Sequence, residues 1–127
     1  MLYNVISEKN LDQVCADLAE AVPAHKFGLI AIHDLRETMA KKGVDFDREC
    51  RVFEVCNPHH AKTVLDEDIR VNLALPCRIG VWNEDGRTKV GTLLPTQLLG
   101  VFGSSDKMTA TAAEVETVML AIIDDVI

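Results

Sequence analysis

The stretch CRIGVWNEDGRTKVGTL, residues 77–93, decides the fold class of this chain. In its first half Cys77, Ile79 and Val81 alternate with other residues, which is typical of a strand with one buried face. The sequence Asn-Glu-Asp-Gly at 83–86 then predicts a hairpin turn, and 88–93 predicts the returning strand. Because a tight hairpin joins antiparallel strands, the sheet is expected to be at least partly antiparallel.

Three further strands are predicted upstream of the hairpin, at 2–6, 27–32 and 51–56. The second of these is a nearly continuous apolar run, which favours a strand buried on both faces. His33 and Asp34 follow it directly, at a place where polar side chains often line a crevice.

Segments with helical periodicity lie between these strands and after the hairpin, and each begins with a residue that caps helices. The capping positions are Asn10, Asp34, Asn57 with Pro58 at the first helical position, and Thr111 with Glu114 three residues on. The predicted order is therefore β-α-β-α-β-α-β-β-α within one domain, residues 1–127, with a further brief helix expected from Pro95 through Leu99. The fold class is α+β, with a mixed, partly antiparallel sheet covered by helices.

The composition argues against several classes of function. Twenty acidic against thirteen basic residues leave a net charge of −7, which opposes binding to nucleic acid or to an anionic membrane. No apolar run approaches the roughly 20 residues of a membrane span, and residues 1–6 show no signal peptide, so we expect a cytoplasmic protein. In that reducing compartment the four cysteines are expected to be thiols.

Several segments resemble a bacterial and archaeal family, the domain of unknown function 302. The matching stretches are 27–35, 41–46, Cys56-Asn57-Pro58, and Leu75-Pro76-Cys77. The resemblance implies a small α+β domain, with a homodimer as the expected assembly, and it supplies no reaction. It singles out Asp34, Cys56, Asn57, Pro58, Pro76 and Cys77. This chain departs from the family pattern at Leu94-Pro95, where members tend to have Asp-Pro.

Cys56 ends one predicted strand and Cys77 begins another. If the two strands are antiparallel neighbours, the sulfurs lie within several ångströms of each other. Asn57 and Pro58 place Cys56 just before a helix N-terminus, where the helix dipole and free N–H groups lower a thiol pKa. His59 and His60, in the first turn of that helix, add nitrogen donors or a proton shuttle.

Three interpretations of this cluster stay open. In the first, both cysteines are small buried hydrophobic residues beside a capped helix. In the second, Cys56 is an attacking thiolate and Cys77 its resolving partner, in redox or sulfur-transfer chemistry. In the third, Cys56, His59 or His60, and Cys77 hold zinc, or a histidine binds haem, although the spacing is a weak signal for either.

Taken together, the sequence predicts a ligand-binding or regulatory module without a defined cofactor. A small organic molecule is the expected kind of ligand. The candidate ligand-binding residues are Asp34, Asn57, Pro58, His59 and Pro76, and the candidate catalytic residues are Cys56 and Cys77. Trp82, on the hairpin, is interpreted either as an aromatic residue at the edge of the core or as a contact between the subunits of a dimer.

Overall fold

The computed structural model describes residues 1–127 and contains one five-stranded sheet. The strands, in the spatial order β1-β5-β4-β3-β2, are β1 (Leu2–Ser7), β2 (Gly28–Asp34), β3 (Cys50–Cys56), β4 (Cys77–Glu84) and β5 (Arg87–Leu93). The helices are α1 (Leu11–Ala24), α2 (Leu35–Lys41), α3 (Pro58–Glu67), α4 (Pro95–Leu99) and α5 (Asp106–Val126), with 3₁₀ segments at Ile69–Ala74 and Gly100–Phe102. The α+β class is confirmed, the predicted order holds, and α4 is the brief helix expected from Pro95 through Leu99. None of the helices is both long and apolar enough to span a membrane.

The sheet is antiparallel throughout, so the prediction of a mixed sheet is wrong in this respect. The connections between strands explain the difference. A loop at 42–49 and α2 join β2 to β3, and α3 with the 3₁₀ segment at 69–74 joins β3 to β4. Each connection leaves and re-enters the sheet at the same end and so acts as a long hairpin loop, whereas parallel neighbours need a crossover to the opposite end.

Strand β2 lies at an edge of the sheet, although its apolar sequence predicted burial on both faces. Ile30 is 58% exposed and Ile32 is 49% exposed, and the pairing with β3 slips between Leu29 and Ala31. A bulge of this kind twists an edge strand and makes it a poor template for pairing with another chain.

The β4–β5 hairpin closes through a two-residue turn, and β4 continues through Glu84 into what was predicted as turn. Asp85 and Gly86 form the turn with φ values of 54° and 73°. Asp-Gly is favoured there because both central residues of such a turn need positive φ. The resulting register places Gly80 directly opposite Gly91.

Helices α1 and α5 cover one face of the sheet and form the main core with it. Its largest fully buried side chains include Leu18, Phe53, Ile79, Met119 and Ile122. The other face, which carries Leu2, Ile6 and Leu93, is called the open face here because these residues are 77%, 46% and 42% exposed.

A second and smaller apolar cluster lies between α3, α4, α5 and the 3₁₀ segment at 69–74. This satellite cluster comprises Val64, Val71, Leu99, Met108 and Ala112. It also explains why α5 begins at Asp106, ahead of the predicted cap at Thr111: the extra turn buries Met108 in the cluster. The true cap is Ser105, whose hydroxyl accepts a hydrogen bond from the Met108 backbone N–H at 3.1 Å.

We expect Gly91→Ala to destabilise the fold by about 1–3 kcal/mol, and the same change at its partner Gly80 to be nearly neutral. A Cβ atom at Gly91 would lie 2.7 Å from the carbonyl oxygen of Tyr3 and 2.8 Å from Asn4 Cβ, so β1 would have to move. At Gly80 the nearest atoms belong to the Trp82 ring, at the ordinary contact distance of 3.7 Å. Urea unfolding of G80A and G91A measures both effects, and equal losses would contradict the prediction.

Candidate functional site

A cleft of about 310 Å³ opens on the open face, at the end of the sheet next to the satellite cluster. Gly80 and Gly91 form part of its floor, since they are paired in neighbouring strands and both line it. Around them the lining is mostly apolar: Leu2, Val52, Ala74, Leu75, Pro76, Trp82, Leu93, Pro95, Leu98 and Leu99. A concave, mainly apolar surface of this size is at the small end of the range for ligand sites in proteins.

The indole ring of Trp82 lies against the two glycines. A Cβ atom added at Gly91 would come within 3.1 Å of this ring, and one at Gly80 within 3.7 Å. The indole Nε1 donates to Glu84 Oε1 at 3.2 Å, and Lys89 Nζ donates to the same oxygen at 3.0 Å. These two bonds, with Lys89 contributing most, lower the pKa of Glu84, so the carboxylate that orients the ring stays ionised.

Few polar residues line the cleft. Asn4 and Arg78 lie at strand positions that face it, Tyr3 and Thr92 pair with each other at positions that face the core side, and the only charged residue is Arg78. Thr92 already donates its hydroxyl to the backbone carbonyl of Arg78 at 2.7 Å. An apolar pocket with a small number of polar groups is the usual composition of a small-molecule site.

The two cysteines singled out from the sequence line a small cavity of about 30 Å³ beside the cleft, which is lined also by His60. Cys77 lines the large cleft as well. Strands β3 and β4 are antiparallel neighbours, and Cys77 pairs with Val55, the residue before Cys56. The structure thus brings Cys56 and Cys77 to one place, as free thiols. A cavity of this volume has room for about one water molecule.

The pKa of the Cys56 thiol differs from the prediction. The helix N-terminus was expected to lower its pKa, whereas burial raises the pKa of this thiol. Asn57 explains the difference, because its side-chain oxygen accepts from the backbone N–H groups of His59 at 3.0 Å and His60 at 3.2 Å. The donors that would have stabilised a thiolate are used by the cap itself.

The two histidines of α3 point to different surroundings. His59 is exposed, whereas His60 is half-buried, contacts the ring of Phe27 and lies 3.2 Å from Glu114 Oε2 through its Nε2 atom. The Nδ1 atom of His60 is buried without a hydrogen-bond partner. Nowhere in the chain do three or more His, Cys, Asp or Glu side chains come together as metal ligands, and this applies to Cys56, His59, His60 and Cys77.

The other residues predicted to bind a ligand are dispersed. Asp34 caps α2 by accepting from the Glu37 backbone N–H at 3.0 Å, and it lies outside both cavities. Pro58 is exposed at the start of α3, and Asn57 lines the small cavity as well as capping the helix. Pro76 alone among them lines the large cleft.

The residues at the centre of the cleft were not among the predicted ligand-binding residues. Gly80 and Trp82 lie two residues apart on β4, so their positions share one face of the strand. A two-residue turn at Asp85-Gly86 then brings Gly91 opposite Gly80. The sequence of the hairpin therefore contained the information that Gly80 and Gly91 pair, but recovering it required the correct turn length of two residues.

A scan against protein families matches residues 3–126 to the family described as domain of unknown function DUF302. Among solved structures, the crystal structure of an uncharacterized conserved DUF302 protein from Bacillus stearothermophilus is similar, with a TM-score of 0.91 and 31% sequence identity. The match covers 99% of this chain and 98% of that chain. No curated protein matches the chain.

The stability of the fold is expected to fall at alkaline pH through Cys77. Burial raises the pKa of this thiol from 9.0 to about 11, with the nearby Cys56 adding to the rise. Folding therefore favours the protonated thiol, a contribution that is complete below about pH 9 and is lost as the pH rises to about 11. We expect Cys77→Ala to flatten this loss by up to about 3 kcal/mol.

Urea unfolding of the wild type and C77A across this pH range measures the effect. A C50A variant removes a thiol at the far end of β3 whose pKa burial also raises; it controls for general effects of losing a cysteine and is expected to flatten the loss less than C77A does. Parallel stability profiles of wild type and C77A would contradict the assignment.

Proposed function

The chain belongs to the DUF302 family, described as a domain of unknown function, so we propose its function from the geometry alone. The protein binds a small, mainly apolar organic molecule in the cleft on the open face. The observation that carries the proposal is the Trp82 ring held against the paired glycines of β4 and β5. This arrangement leaves a concave apolar surface that no side chain of the protein fills.

Two features of the lining support a binding role. First, the site is already formed in the folded chain: central strands of the sheet form the floor, and Leu75, Pro76 and Pro95 at the ends of short segments form the wall. Second, the apolar surface is concave and continuous, whereas apolar residues elsewhere on the surface, such as Val44 and Val101, stand apart from it. A preformed apolar site needs little ordering on binding, which favours affinity for a small ligand.

We expect a neutral fluorescent probe such as N-phenylnaphthylamine to bind with one-to-one stoichiometry and to quench Trp82 by energy transfer. Trp82 is the only tryptophan of the chain, so its emission reports on the cleft alone. Gly80→Val would place a side chain on the cleft floor and is expected to weaken binding about 10-fold or more, since it occupies volume the probe needs.

A matched variant is Gly100→Val. Gly100 lies outside the cleft, and a Cβ atom there meets nothing within 4 Å. The proposal fails if the probe does not bind the folded wild type. It also fails if G80V and G100V, both shown to be folded by circular dichroism, bind the probe as the wild type does.

The alternative function, redox or sulfur chemistry at Cys56 and Cys77, is favoured only by the placement of both thiols at one small cavity. Burial raises the pKa of each, so at about pH 7 we expect neither to be alkylated faster than a free cysteine, with Cys77 the slower. Site-resolved alkylation measured by mass spectrometry tests this. Rapid alkylation of Cys56 together with an oxidant-induced Cys56–Cys77 disulfide would favour the thiol function instead.

The expected homodimer and the cytoplasmic location stay predictions. A monomeric mass in sedimentation equilibrium would contradict the dimer. The zinc or haem alternative gains no support from the placement of Cys56, His59, His60 and Cys77.

A further inference from the structure

Arg78 is the one arginine of this chain whose guanidinium has no partner. The sequence has six, and the other five have partners: Arg36 with Glu49, Arg48 with the carbonyl of Asn83, Arg51 with Asp12, Arg70 with Asp68, and Arg87 with Glu8. The Arg78 guanidinium forms neither an ion pair nor a hydrogen bond. In a chain with twenty acidic residues, an unpaired guanidinium is not explained by a shortage of carboxylates.

The nearest candidate partner is used elsewhere. Glu54 lies directly opposite Arg78 in the β3–β4 register, a position from which opposite charges usually interact across strands. Glu54 pairs with His33 on the far side instead. Arg78 is thus left with its five N–H donors available, beside a cleft whose lining contains no Asp or Glu.

We propose that the ligand of the cleft is an amphipathic carboxylic acid, with its carboxylate bound by Arg78 and its apolar part against Trp82. This inference rests on the proposed function and adds the chemical class of the ligand. A guanidinium matches a carboxylate through two parallel hydrogen bonds. Arg78 and Trp82 are four residues apart on β4 and both line the cleft, so one small molecule spans the two.

The charges in the lining of the cleft favour a ligand with a single negative charge. Arg78 is the only cation in the lining, and the uncharged amide of Asn4 is the other polar side chain that faces the cleft without a hydrogen-bond partner. A phosphate monoester carries about two negative charges at neutral pH and needs more donors than this lining offers. The apolar remainder of the cleft favours a hydrocarbon or aromatic body over a sugar or nucleotide.

Binding of naphthoate and of its neutral counterpart naphthamide, followed by quenching of Trp82, tests the inference. The two probes share one ring system and differ in the charge. We expect naphthoate to bind the wild type about 10- to 100-fold more tightly than naphthamide, and Arg78→Gln to remove that preference by weakening naphthoate binding far more than naphthamide binding. Arg87→Gln, at an arginine outside the cleft, is the matched control and is expected to keep the preference.

The outcomes separate the two levels of the proposal. If the wild type and R78Q each bind naphthoate and naphthamide with equal affinity, the carboxylate inference is overturned and the apolar cleft remains a binding site. Failure of both probes and of the neutral dye overturns the cleft as a binding site altogether. If R87Q also removes the preference for naphthoate, that preference comes from the general charge of the protein and not from Arg78. The same conclusion follows if salt weakens the preference equally in R78Q and in the wild type.

Discussion

The two-residue turn at Asp85-Gly86 is the constraint on which the open face depends. It fixes the pairing of β4 with β5, and the side chains of a strand alternate between faces. A slip of β4 by one residue would turn Val81 out of the core and Trp82 into it. Because the register is held, the glycines meet on the open face and leave the surface against which the indole lies. The floor of the cleft is therefore a product of hairpin geometry.

The N-terminus of α3 shows how one structural role displaces another. Its backbone N–H groups are donors that an anion or a thiolate would use. Asn57 takes two of them, which stabilises the helix and leaves Cys56 with burial as the dominant influence on its proton. A strong cap and an activated thiol compete for the same groups, and this sequence resolves the competition in favour of the cap. From the sequence Cys-Asn-Pro alone, the prediction was that the helix N-terminus lowers the pKa of Cys56.

The local parts of the fold were predictable, and the parts set by long-range pairing were not. Caps at Asn10, Asp34 and Asn57, each a short-range hydrogen bond, were identified from residue type and spacing. The edge position of β2 was missed because an apolar strand looks the same wherever it lies in a sheet. The start of α5 was missed because Met108 joins an apolar cluster formed with distant segments. For the site, Pro76 was found through a family motif, whereas Arg78 matters through the absence of a partner, a property that no sequence pattern records.

The division of the apolar interior into a main core and a satellite cluster has a dynamic consequence. Leu75 and Leu99, which form one wall of the cleft, pack with the satellite cluster, while the floor belongs to the sheet. The satellite cluster has five buried residues against seventeen in the main core, so local opening of its segments costs less free energy than global unfolding. A molecule bound between wall and floor would join the two clusters into one cooperative unit. Amide hydrogens of the 3₁₀ segment at 69–74 and of α4 would then exchange more slowly, and occupancy of the cleft would be visible as increased order throughout the satellite cluster.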